Sequence, residues 1–169
     1  ADLPDEEASA QMYKNAVSTL AHYGFDQYEI SAFARDDKQS RHNVGYWIAR
    51  PFLGFGPSAF SYWEGARFRN IANLNRYCAL LRDKELPIDF DERLDDAARR
   101  RELLAVNIRL KSGVDLDAFE RRHGSLEQEV KSALKELLEQ GLVEEGPINT
   151  YRLTEKGILF YDTVAVALI

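Results

Sequence analysis

One histidine of this chain lies among residues that could bind an iron-containing ring. The run Arg41-His42-Asn43-Val44-Gly45-Tyr46-Trp47 places an imidazole beside a carboxamide and two large aromatic side chains. Neutral imidazole is a good iron ligand, and aromatic rings can cover the faces of a porphyrin. No strong helix or strand pattern surrounds His42, so we expect it in a loop. Composition alone favours a histidine that only packs in that loop over a haem ligand.

The other two histidines have a simpler explanation. His22 and His123 each stand close before a glycine, Gly24 and Gly124, where a helix is expected to end. An imidazole in the last turn of a helix complements the helix dipole. Both are therefore predicted to be structural.

Two further segments could approach a ligand. The apolar run 52–62 contains Gly54 and Gly56, which permit a close backbone approach or a bend. In the β-prone segment 28–33, the polar residues Glu29 and Ser31 alternate with apolar ones. Such alternation is expected of a strand that lines a ligand cavity, and equally of a strand at a solvated edge.

The composition excludes several classes of protein. The 169 residues are 45% hydrophobic and 30% charged, which is typical of a globular protein. A net charge of −6 disfavours binding to nucleic acid or to an anionic membrane. No apolar run approaches the roughly 18 residues of a membrane span, and the acidic start is unlike a signal peptide. We therefore predict a cytoplasmic protein. Because Cys78 is the single cysteine, we expect neither an intrachain disulfide nor a cysteine-rich metal site.

The hydrophobic pattern predicts an α+β protein with two parts. In residues 1–86 it indicates a helix over 4–23, a strand over 28–33, a hairpin formed by 52–62 and 66–70, and a helix over 74–82. A helix and strand that begin without an earlier partner resemble the tail of an α/β barrel. Residues 86–87 then form a linker.

Residues 87–169 are predicted to be mainly helical. Helices are expected over 95–110, over 119–122 with Asp115 as cap, and over 126–140 with Ser125 as cap. A hairpin of 142–145 with 151–153 follows, and Thr154 caps a last helix that turns Val164 and Leu168 to the core. Three helices, a hairpin and a closing helix are typical of a winged-helix-like domain.

The order of three motifs resembles the C-terminal half of the HemW/HemN family. These motifs are Tyr28-Glu29-Ile30-Ser31-Ala32-Phe33-Ala34-Arg35, the His-Asn-x-x-Tyr-Trp run from His42, and the Leu-Gly-x-Gly-x-Ser-Ala run from Leu53. The family comprises radical S-adenosylmethionine (SAM) proteins related to oxygen-independent coproporphyrinogen III oxidase. The resemblance implies the remnant of a radical SAM α/β barrel followed by the winged-helix-like domain, with the N-terminal barrel half as a missing partner.

The resemblance also implies cofactors and site residues. Family members use SAM and a [4Fe–4S] cluster held by a Cys-x3-Cys-x2-Cys run, which this sequence lacks, so the chain alone is expected to be inactive in radical chemistry. In HemW-like haem chaperones the His-Asn-x-x-Tyr-Trp pattern is associated with haem binding. It implies His42 as iron ligand, Asn43 as the residue that orients the loop, and Tyr46 and Trp47 as shields of the porphyrin. Ala34 and Ala105 are the positions implied to contact SAM; no residue of this chain is expected to be catalytic.

Other functions stay open at this point. A coproporphyrinogen III dehydrogenase would decarboxylate propionate side chains, but such enzymes do not carry His-Asn-x-x-Tyr-Trp here, so a haem chaperone with a haem-acceptor protein is preferred. A winged helix could bind nucleic acid, yet segment 126–140 has four acidic residues and two basic ones. The chain could also be an inactive cap on the missing barrel, or pair with itself through exposed strand edges.

Overall fold

The computed structural model describes residues 3–169, which divide into two compact units. The first unit contains the residues up to Ile48 together with Arg100–Ile169, and the second contains Ala49–Arg99. The structure thus groups the beginning of the chain with its end. The domain boundary predicted at residues 86 and 87 marks the end of the barrel remnant and not a division into compact units. It therefore stays a prediction.

The first unit begins with a long helix and a small hairpin. Helix α1 (Glu6–His22) starts at Asp5, whose carboxylate accepts a hydrogen bond from the Ala8 amide at 2.7 Å. Strands β1 (Asp26–Glu29) and β2 (Ala32–Ala34) then pair antiparallel. The helix was predicted correctly. The single strand predicted over 28–33 is wrong, because the chain reverses between the two strands. Helix α2 (Arg41–Trp47) follows.

The second unit is built on a three-stranded antiparallel sheet. Strands β3 (Phe60–Trp63) and β4 (Ala66–Asn70) form the predicted hairpin, and helix α3 (Leu74–Arg82) has the predicted bounds. Strand β5 (Ile88–Arg93) pairs with β4 and was missed, since its charged sequence was assigned to a linker and a helical region. Its acidic side chains form ion pairs with β4: Glu92 with Arg67, and Asp89 with Arg69.

The remainder of the chain supplies the core of the first unit. It comprises α4 (Asp96–Asn107), β6 (Val114–Asp115), α5 (Leu116–His123), α6 (Gln128–Glu139), β7 (Val143–Gly146), β8 (Thr150–Leu153), α7 (Glu155–Leu159) and α8 (Tyr161–Leu168). The three strands form a sheet in the order β6-β8-β7. Leu104, Ile108, Leu137, Val164 and Leu168 are almost completely buried, which confirms the predicted inward face of the last helix. The fold is α+β, as predicted.

Two helix ends differ from the prediction for identifiable reasons. Helix α6 begins after Glu127 rather than after Ser125, and the Glu127 side chain makes no capping hydrogen bond. The Leu126 amide, which precedes this helix, donates to the Glu120 carboxylate at 2.8 Å. Lys131 also contacts that carboxylate, and these two hydrogen bonds, with Lys131 the larger cause, hold the Glu120 pKa below its usual value. The predicted last helix is two helices, α7 and α8, which meet at Phe160.

Two contacts tie the N-terminal hairpin to the C-terminal part of the first unit. The Lys111 amide donates to the Tyr28 carbonyl at 3.0 Å, and Glu29 forms an isolated antiparallel bridge with Leu110. The segment directly after α4 therefore lies alongside β1. This pairing brings side chains near residue 29 and near residue 109 into one neighbourhood.

Candidate functional site

The motif that contains His42 lies on a helix, not in the predicted loop. Ser40 caps α2, and its hydroxyl accepts a hydrogen bond from the Asn43 amide at 3.3 Å. The helix is only seven residues long and contains Gly45, so its periodic signal is weak. The loop assignment of His42 was therefore wrong, and the correct signal was the Ser40 cap.

The helical geometry brings His42 and Tyr46 together. Residues four apart share a helix face, and the Tyr46 hydroxyl lies 2.8 Å from His42 Nε2. The two rings meet edge to face, with centroids 4.6 Å apart. The His42 side chain is exposed. The site thus presents a solvent-facing imidazole whose Nε2 already has a hydrogen-bond partner.

Asn43 anchors this helix to the hairpin. Its side-chain amide donates to the Tyr28 hydroxyl at 3.2 Å. Tyr28 is buried on β1, with 8% of its surface exposed. This hydrogen bond links α2 to β1, and the orienting role of Asn43 stays a prediction.

Trp47 packs against Arg109, which is distant from it in the sequence. The Arg109 guanidinium lies 4.2 Å from the Trp47 ring centroid and 4.6 Å from the Tyr161 ring centroid. A guanidinium over an aromatic face is attracted by the ring quadrupole. Tyr161 is held in turn by its hydroxyl, which donates to the Ala105 carbonyl at 2.9 Å. Burial raises the pKa of Tyr161, and the adjacent Arg109 opposes that rise.

Glu29 completes this cluster from β1. Its side chain is 1% exposed, and its Oε2 lies 3.3 Å from Arg109 Nη2. Its other oxygen accepts from the Ser31 amide at 3.0 Å and from the Ser31 hydroxyl at 2.8 Å. The polar face predicted for segment 28–33 therefore neither lines a cavity nor meets solvent at Glu29. It forms a buried ion pair that the sequence pattern could not identify, because its members are 80 positions apart.

The two alanines expected near SAM lie in different surroundings. Ala34 lines a cavity of about 340 Å³ together with Asp26, Gln27, Tyr28, Gln39 and Val44, among others. Val44 belongs to α2 and Tyr28 contacts Asn43, so this cavity borders the His42 helix. Ala105 is 2% exposed in the core of the unit. A ligand could reach Ala105 only if the packing around α4 changed.

The other two histidines and the remaining acidic residues do not form a further metal site in the described part of the chain. His22 and His123 stand in the last turns of α1 and α5, where they were predicted. Among residues 3–169, no group of three or more His, Cys, Asp or Glu side chains is arranged to hold a metal ion. A [4Fe–4S] cluster needs several thiolates, and the sequence has one cysteine, so its residues do not fit that cluster. No helix in the described part of the chain is long and apolar enough to cross a membrane.

Comparisons with known proteins identify relatives of the whole chain and of its C-terminal part. Residues 94–160 match the family model of the HemN C-terminal domain. The haem chaperone HemW of Bacillus subtilis is 32% identical over 163 residues, covering 96% of this chain and 43% of that protein. The haem chaperone HemW of Lactococcus lactis is 31% identical over 143 residues, covering 83% of this chain and 37% of that protein. The chain thus spans about two fifths of the length of the curated relatives that it matches.

A solved structure shares the fold. Coproporphyrinogen III oxidase (HemN) from Escherichia coli, described as a radical SAM enzyme, superposes with a TM-score of 0.77 and 18% identity. The match covers 99% of this chain and 42% of that one. Together with the sequence matches, it leads to one conclusion: the chain belongs to the HemW/HemN family.

Proposed function

We propose that this chain supplies the haem-contacting part of a HemW-type haem chaperone, with haem as its cargo. The observation that carries the proposal is the exposed His42 imidazole on α2, held by Tyr46. The relatives named haem chaperones, which match nearly the whole chain, support the same function. A haem-acceptor protein would then be the partner that receives the cargo.

Binding of haem iron at Nε2 of His42 would require this nitrogen to exchange the Tyr46 hydroxyl for the iron. A neutral imidazole binds haem iron through an unprotonated ring nitrogen. Tyr46 lies against Nε2, so coordination through that atom requires the Tyr46 hydroxyl to move away. The displaced tyrosine ring stays beside the iron ligand and can cover part of the porphyrin. One face of Trp47 lies against Arg109 and its Nε1 is buried, so we propose the opposite face of the ring for the same purpose.

The cavity beside α2 supports a second part of the proposal. Its wall contains Ala34 together with residues that carry carboxylates and a carboxamide, Asp26, Asp37 and Gln39. Such groups suit the hydroxyls and amines of an adenosine-containing molecule. We therefore propose Ala34 as a SAM contact in the complete protein. Ala105 stays a weaker proposal because of its burial. A cytoplasmic location is consistent with this function.

The alternative functions gain no comparable support. The solved structure of coproporphyrinogen III oxidase is 18% identical to this chain, and a similarity of that size establishes the fold alone. For nucleic acid, α6 and its cap contain Glu127, Glu129, Glu136 and Glu139 against two lysines, so this helix would repel phosphates. The haem-chaperone proposal is therefore the one to test first.

A haemin titration followed by absorbance tests the proposal. The wild-type chain is expected to bind haem at one saturable site, and His42→Ala is expected to lose most of that binding. His22→Ala is the matched control, because His22 is also exposed and also lies on a helix. Equal binding by wild type and His42→Ala would exclude His42 as the ligand, whereas equal loss in both variants would indicate nonspecific histidine binding.

A further inference from the structure

Helix α2 has few contacts of its own with which to hold a fixed orientation. It is seven residues long, its C-cap is Ile48, and Gly45 is its one buried residue. Isolated helices of this length are unstable in water. The orientation of His42 must therefore be set by side chains that attach α2 to the rest of the unit. Asn43 and Trp47 are two such attachments.

The Trp47 attachment depends on Arg109. The guanidinium is held between the Trp47 and Tyr161 rings, and its Nη2 contacts the buried Glu29 carboxylate. Arg109 thus joins three separate elements of the unit: helix α2, strand β1 and the beginning of α8. A planar guanidinium can stack on two rings and pair with a carboxylate at once, which an ammonium group cannot do.

We propose that Arg109 is a positioning residue for the haem ligand: by fixing Trp47, it fixes the orientation of α2 and hence of His42. The inference rests on the proposed haem-binding function, which it deepens. Arg109 does not touch the ligand itself. Its effect is transmitted through about one and a half helix turns, from Trp47 at the end of α2 to His42 near its beginning. Groups that bond directly to a metal ligand commonly change metal affinity by about 10- to 100-fold when they are replaced, and we expect the lower end of that range for Arg109, which acts through Trp47.

The test replaces Glu29 and Arg109 together in one double variant. Removing Arg109 alone would leave Glu29 as an uncompensated buried charge and could unfold the unit. Glu29→Gln with Arg109→Met removes both charges and keeps similar side-chain volumes. The matched control is Glu127→Gln with Arg100→Met, which removes another Arg–Glu pair of the same unit that does not contact α2.

Two measurements on these double variants decide the matter. In the chain without haem, hydrogen exchange by mass spectrometry should show peptides over Arg41–Trp47 exchanging at least about fivefold faster than in wild type, while α6 peptides stay unchanged. In the haemin titration, the dissociation constant should rise by about 10-fold or more, with a shifted Soret band. The control variant should show neither effect.

Each contrary outcome has a definite meaning. Unchanged exchange over α2 would overturn the inference, as would faster exchange with wild-type haem affinity and spectrum. The same loss in the control variant would also overturn it, because the effect would then reflect general destabilisation. If the wild-type chain binds no haem, the proposed function fails, and the exchange measurement still decides whether Arg109 fixes α2.

Discussion

Breaking the Glu29–Arg109 pair from one side should cost much more than removing it altogether. Glu29 is 1% exposed and Arg109 is 18% exposed, so both charges lie largely out of water. Arg109→Met leaves the Glu29 carboxylate without its cation, and loss of one partner of a buried pair costs about 3 to 5 kcal/mol. Glu29→Gln leaves the Arg109 cation unpaired, but it keeps an oxygen that Ser31 can donate to, and Arg109 is 18% exposed, so its cost should lie at the lower end of that range, about 3 kcal/mol.

The double variant should be less destabilised than the sum of the two single variants. It leaves no buried charge unpaired, and its main loss is the guanidinium stacking on Trp47 and Tyr161, worth about 0.5 to 2 kcal/mol for each ring. Methionine recovers part of that loss by packing between the rings. We therefore expect a coupling energy of about 2 kcal/mol or more between the two positions.

Urea denaturation followed by far-ultraviolet circular dichroism measures this coupling. The free energy of unfolding is determined for wild type, the two single variants and the double variant at neutral pH. Independent sites add within about 0.5 kcal/mol. Additivity at that level would refute the reasoning, because it would mean that water, and not Arg109, compensates the Glu29 charge.

Three other changes test separate parts of the structure. Tyr46→Phe removes the hydroxyl that lies against His42 Nε2, so haem no longer has to displace it. Haem affinity should rise roughly 2- to 10-fold in a haemin titration. A decrease of that size would mean that the hydroxyl contacts the bound haem. A Cβ on Gly157 would lie 1.8 Å from the Leu142 carbonyl oxygen, so Gly157→Ala should destabilise by about 3 kcal/mol or more in urea, and wild-type stability would contradict the packing. The pKa of Glu120 is lowered on folding, so its ionised carboxylate stabilises the fold fully above the usual value of 4.5, and this contribution is lost as the pH falls from there through the lowered pKa of the folded state. Glu120→Gln should flatten the acid side of the stability profile, and an unchanged profile would contradict the ion pair.

The sequence predicted helices well where the hydrophobic pattern and a capping residue indicate the same boundaries. The bounds of α3 match, and α5 begins after Asp115, whose carboxylate accepts from the Ala118 amide at 2.8 Å. Strand β5 was missed because its acidic residues look exposed in sequence, and only pairing with the arginines of β4 makes them suitable for a sheet. The short helix α2 was missed because seven residues with a glycine give little periodicity.

The candidate site could be predicted only in its local part. His42, Asn43, Tyr46 and Trp47 form one motif, and the helix explains why His42 and Tyr46 touch. Arg109 gave no signal, since its partners are distributed over the whole chain and its sequence neighbours are ordinary helix-end residues. A buried ion pair of this kind depends on tertiary contacts that no local pattern records.

Chemical rescue of the ligand tests the central claim most directly. Haem is added to His42→Ala, the absorbance spectrum is recorded, and imidazole is then titrated into the same sample. Because the missing group is an imidazole, we expect weak binding at first and recovery of the wild-type Soret band as imidazole replaces the His42 side chain. A His42→Ala spectrum identical to that of wild type before any imidazole is added would contradict the claim that His42 is the haem ligand.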